Sequence, residues 1–124
     1  MLTTTIYKKS IHDLNNYDHD IVKNSTNIKL GKKVIKGMYN NYKMKTVTLT
    51  ERKTCPEDCI HWEDCYGNNM PFAHRIDHED QNLLQKRIYN ELLNSTNQLL
   101  LIRLHVLGDF FNVKYVKFWS IMLN

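Results

Sequence analysis

The stretch at residues 99–107, LLLIRLHVL, limits the fold more than any other part of the chain. Apolar side chains fill it almost without a break, and Gly108-Asp109 follows too soon for a helix. An apolar run this short, closed by turn residues, reads as a strand buried on both faces, the habit of a parallel sheet. Residues 45–50, KTVTLT, give a strand of a different kind. Val47 and Leu49 alternate with Thr46, Thr48 and Thr50, so one face is apolar and the other hydroxylated. β-Branched residues dominate it, as a pleated surface favours.

Each strand leads through a loop into a helix. After the first come turn residues, Gly67-Asn68-Asn69-Met70-Pro71, and then a helix from about Asp77 or His78. Asp77 suits its N-cap, and Glu79 and Asp80 suit the positive first turn. Leu84, Ile88 and Leu92, with Leu83 beside them, form one apolar stripe, and Asn94-Ser95-Thr96-Asn97 ends it. After the second strand, Asn112 caps a helix whose expected buried stripe is Val113, Val116, Trp119 and Leu123, with Tyr115 and Met122. The aromatics Phe110, Phe111, Tyr115, Phe118 and Trp119 read as core. Strand, loop and helix, twice over, predict an α/β fold built on a parallel βα pair. Ligands bind such sheets at the C-terminal ends of the strands, where both loops fall.

Two parallel strands alone leave unpaired edges. Residues 1–44 read as a loosely structured, polar, basic arm, and residues 45–124 as a βαβα unit that is a fragment of a larger domain. Within the arm we expect a short helix at 11–16. A short strand, Lys33-Val34-Ile35, is expected between turns at Gly31 and Gly37. Lys8, Lys9, Lys23, Lys29, Lys32, Lys33, Lys36, Lys43 and Lys45 carry most of the net charge of +4. Such an arm can touch nucleic acid by charge alone, although a solvated Lys/Asn-rich surface is the plainer reading. No apolar run is long enough to cross a membrane, and MLTTTIYKKS lacks the apolar centre of a signal peptide. The expected compartment is the cytoplasm.

Residues 54–66, TCPEDCIHWEDCY, hold all three cysteines, spaced C-x3-C-x5-C. An odd set of close cysteines in a reducing compartment points to metal ligation rather than disulfides. Three thiolates can hold a 4Fe–4S cluster with one iron left open to a substrate or cofactor. Zinc is the alternative, in a small structural or nucleic-acid-binding module. It would need a fourth ligand, for which His61, His74 and His78 are candidates.

TCPEDC followed by CY, then a helix, then IRLHVLGDF, then a helix near YVKFW, resembles the phage-borne Gene product 88 family, with its TCP-x-x-C, CY and H-V-x-G-D-F motifs. The resemblance covers residues 45–119. A more distant resemblance leads to radical S-adenosylmethionine enzymes. Those place three cysteines in a loop after their first strand. After the second strand, a glycine-rich motif ending in an acid holds the cofactor's amino group. Carried over by position, this implies Cys55, Cys59 and Cys65 as cluster ligands and Tyr66 as the aromatic after the last ligand. Gly108 and Asp109 stand in place of the glycine-rich motif, with S-adenosylmethionine as cofactor. The chain departs from that pattern in its longer second cysteine gap and its single glycine. It is also too short for a six-stranded barrel. The implied fold is a partial, radical-SAM-barrel-like unit, a truncated form without activity, and no reaction is assigned.

Some residues carry two readings. Asp109 can bind an amine or satisfy local backbone amides. His105 reads as a hydrogen-bonded core histidine, although with Arg103 it could line a pocket. Trp62 either shields a cluster or anchors the loop.

Overall fold

The computed structural model describes residues 2–24, 37, 42–95 and 100–123. Among these residues the chain is a mixed α/β unit with two helices, α1 (Gln81–Leu93) and α2 (Val113–Met122). Its strands are β1 (Ile11–His12), β2 (Lys23–Asn24), β3 (Lys43–Thr46), β4 (Arg75–Ile76) and β5 (Leu100–Arg103). One sheet has the order β2-β3-β5, and β1 pairs with β4. As the sequence predicts, β3 and β5 run parallel, with Lys43 opposite Leu100 and Thr46 opposite Arg103.

The expected strand 45–50 is a spine rather than one regular strand. Past β3, Val47 donates to the Arg103 carbonyl and Val106 to that of Val47 (3.2 and 3.0 Å). Leu49 donates to the Leu107 carbonyl (3.1 Å), while on the other side Ile76 donates to that of Thr48 (3.1 Å). The spine therefore ties β5 and β4 together. Its alternation holds. Val47 and Leu49 are fully buried, in a core with Ile76, Leu84, Ile88, Tyr115 and Trp119. Each such aliphatic side chain contributes about 1.5–3 kcal/mol.

Helix α1 keeps the predicted stripe and stops at Asn94, but it starts later than expected. Its N-cap is Asp80, which accepts from Leu83 N at 3.1 Å. Asp77 is engaged earlier in the chain, accepting from Glu79 N and from Lys53 Nζ. Asn112 caps α2 as expected, accepting from Tyr115 N at 2.9 Å. The expected face of α2 holds only in part. Tyr115 and Trp119 are buried with Phe118 and Met122 beside them, while Val113, Val116 and Leu123 are exposed. The helix is turned so that its aromatics, which remove more area from water, meet the core.

Strand β5 is not buried on both faces. Among the described residues it is an edge strand, half-buried over residues 100–102 and exposed at Arg103. It ends early, and His105 adopts φ +59°.

The N-terminal segment is the larger correction. Residues 11–16 are not a helix but β1 and a turn in which Asp13 Oδ1 accepts from Asn15 N. Leu14, Tyr17, Ile21 and Val22 belong to the core. Arg87 of α1 donates to the carbonyls of Leu14, Tyr17 and His19 (3.0, 2.8 and 2.8 Å). Glu91 accepts from the backbone of Ile21 and Val22 (3.1 and 2.8 Å). Residues 14–22 of an arm read as loose are thus stapled to α1 by two side chains, and β2 covers one edge of β3. The expected strand Lys33-Val34-Ile35 lies outside the described residues. Among the described residues no helix is long and apolar enough to cross a membrane.

Candidate metal centre

The two loops singled out in the sequence meet. Thr54, buried at the mouth of the cysteine loop, donates its hydroxyl to the Thr50 carbonyl (2.8 Å) and accepts from Asp109 N (3.0 Å). One side chain thus clips the Gly108-Asp109 turn onto the cysteine loop. Gly108 has φ +84°, and a Cβ there would stand 2.6 Å from Thr54 Oγ1 and 2.9 Å from Leu49 Cβ. Only glycine allows both the left-handed turn and the approach. Asp109 Oδ1 accepts from Phe110 N (2.7 Å), so the local role foreseen for this carboxylate is realised.

The cysteine loop is a chain of tight turns. Cys55 N donates to the Arg52 carbonyl, Cys59 N to that of Pro56, Trp62 N to that of Cys59, and Asn68 N to that of Cys65. All three cysteines are free thiols. Cys55 and Cys65 are half-buried and Cys59 is exposed. Burial pushes the Cys55 thiol up, and the nearby Asp109, Cys65 and Cys59 push it further, against a backbone hydrogen bond from Arg52. A raised thiol is a weak nucleophile by itself. In this conformation the thiols share a loop without closing into a ligand set. Among the described residues no three His, Cys, Asp or Glu side chains are gathered to hold a metal ion.

Two buried cations that sequence reasoning missed shape the loop. Arg52, at φ +65°, donates to the carbonyls of Trp62 and Glu63 (2.7 and 3.3 Å) and to Asn68 Oδ1 (2.9 Å). Arg75 forms a two-pronged pair with Glu51 (2.6 and 3.0 Å) and also donates to the Gly67 carbonyl (2.9 Å). The Glu51 carboxylate packs so closely on Gly67 that a Cβ there would lie 1.8 Å from Oε2. No local pattern marks these residues. Glu51, Arg52 and Arg75 look in sequence like ordinary surface charges.

The remaining candidates separate. Tyr66 opens a short 3-10 helix, Tyr66–Asn69, with its ring exposed. Trp62 is an anchor, donating its indole N–H to the Leu2 carbonyl (2.7 Å). Among the suggested fourth zinc ligands, His61 faces Asp64 on the loop itself (3.5 Å). His78 packs on Phe111, and His74 lies against Tyr17 and Lys23. His105 bonds Tyr115 Oη (2.9 Å) and packs on Phe110. Burial drops its pKa to about 4, and nearby Asp109 pulls the other way. It is the core histidine expected. The pocket that Arg103 lines takes in Val106 rather than His105, whose left-handed backbone breaks the alternation.

Comparison with protein-family models, with curated proteins and with solved structures gives no match.

Proposed function

We propose that residues 54–66 form a metal-binding loop whose Cys55, Cys59 and Cys65 hold a 4Fe–4S cluster. The fainter radical SAM-like pattern implies this ligand set, on a chain whose motifs resemble those of the Gene product 88 family. The observation that carries the reading is the Thr54 clip, which sets Gly108-Asp109 against the cysteine loop. These are the two places where a βα unit presents ligands. Three protein thiolates leave one iron open, which is the chemistry the group supplies when bound. Asp109 supplies a carboxylate for a cofactor amine such as that of S-adenosylmethionine, with Gly108 allowing close approach and Tyr66 flanking the last ligand. Arg52 places positive charge on the backbone of a loop that would carry a negative centre, whereas the charge of Arg75 is matched by Glu51.

The test is elemental analysis and an absorption spectrum of protein purified without oxygen. Iron with sulfide and a brown colour that Cys65→Ala abolishes is the expected result. Failure to take up iron on reconstitution overturns it. One zinc per chain, no colour, and unfolding on chelation would make the loop a structural zinc site instead.

A further inference from the structure

The hydroxyl face of the β3 spine floors a second site. Thr46 and Thr48, which alternate with the buried Val47 and Leu49, open into a pocket of about 430 Å³. Lys23 and Asn24 of β2 form one side and Arg103 of β5 the other, and the chain from Met70 to His74 forms the lip. Every polar side chain in this lining can donate a hydrogen bond, and none of the lining residues is acidic. Carboxylates stand outside. Asp20 lines the neighbouring hollow, and Glu91 acts on Lys23 only through its field. His74 Nδ1 lies 3.2 Å from Lys23 Nζ and 3.2 Å from Tyr17 Oη. The ammonium has only protons to offer, so the ring accepts and is neutral. Burial lowers the pKa of Lys23, which an anion in the pocket would offset. At the lip Phe72 is 92% exposed.

We propose that this pocket binds a small organic phosphate carrying a flat ring. The phosphate sits between Arg103 and Lys23, over the hydroxyls of Thr46 and Thr48, and the ring lies on Phe72. Arginine and lysine from opposite sides, with hydroxyl and amide donors between, form the donor set a phosphate monoester accepts. The volume falls in the range of small-ligand sites, and an exposed aromatic at the rim offers a stacking face. None of the cysteines lines this pocket, so the proposal stands or falls apart from the metal reading.

The test is calorimetric titration in a chloride buffer with inorganic phosphate, adenosine and adenosine 5′-monophosphate as probes. The monophosphate should bind at least tenfold more tightly than inorganic phosphate, and adenosine should bind weakest. Arg103→Ala should weaken both phosphate probes at least tenfold. Arg103 is exposed, so the variant should keep its fold, which circular dichroism checks. Phe72→Ala should weaken the monophosphate alone, to the level of inorganic phosphate. No heat from either phosphate, or binding indifferent to Arg103→Ala, overturns the proposal. So does a single-stranded oligonucleotide that binds far more tightly with steep salt dependence and no need for Arg103, since that describes an extended basic surface.

Discussion

Replacing Arg75 by methionine should nearly unfold the protein, and the structure says why. The Arg75 and Glu51 side chains are 0% and 1% exposed. Their bond is bidentate, and the guanidinium also reaches the Gly67 carbonyl, the Ala73 carbonyl and Ser10 Oγ (2.9, 3.1 and 2.9 Å). Methionine fills much of the volume but leaves Glu51 a buried carboxylate without a partner. Removing one member of a buried pair costs about 3–5 kcal/mol. Each carbonyl left without its donor adds about 1 kcal/mol. A loss of about 5–7 kcal/mol compares with a total stability of about 5–15 kcal/mol for a domain. The double variant Glu51→Leu with Arg75→Met removes the stranded charge. It should recover about 3 kcal/mol over the single variant, because apolar replacement of a buried pair is often close to neutral. Urea unfolding followed by circular dichroism measures all three proteins, and added salt should leave the differences unchanged, since buried pairs are little screened. A loss below about 1 kcal/mol for Arg75→Met, or a double variant no more stable than the single, would refute this account of the loop's footing.

Gly67→Ala should cost about 3 kcal/mol, since its methyl would meet Glu51 Oε2 at 1.8 Å. A thermal melt should show a fall of about 10 °C in Tm, and an unchanged melt would mean the loop simply shifts. Stability should also fall as the pH drops from about 6.5 to about 4. His105 is held at about 4 in the fold, so the unfolded chain binds the extra proton in that window. This stability is complete above the unfolded value and lost progressively as the pH falls to the folded value. It amounts to about 2 kcal/mol after allowing for solvent at the half-buried ring. Asn tolerates a positive φ, so His105→Asn should flatten the pH profile. The remaining slope comes from His12, His74 and His78, which burial shifts the same way, against Glu91, which burial shifts up. A profile unchanged by His105→Asn would place this proton elsewhere.

What the sequence made legible was local. The alternation in KTVTLT, the Leu84–Ile88 spacing, the Asn112 cap and the parallel pairing of β3 with β5 all follow from periods and caps that a short window contains. So did the meeting of the cysteine loop with Gly108-Asp109, because parallel βα topology puts both at one edge. The errors came from tertiary bonds. Nothing near Leu14 or Ile21 announces that Arg87 and Glu91 will hold that segment's backbone. The apolar residues of α2 mark two overlapping stripes, and only packing chose the aromatic one. A polar residue inside an apolar run suggested continued alternation, whereas the backbone turned over at His105.

The two arginines explain a further asymmetry in the cysteine loop. Arg52 closes its first half on Trp62 and Glu63, and Arg75 with Glu51 closes its exit at Gly67. Cys55 and Cys65 lie next to these fixed points and are half-buried. Cys59 and Ile60 lie between them on turns held by single backbone bonds, with Ile60 87% exposed. Two of the three thiols therefore sit beside backbone braced by buried side chains, and the third sits on the outer turn between them.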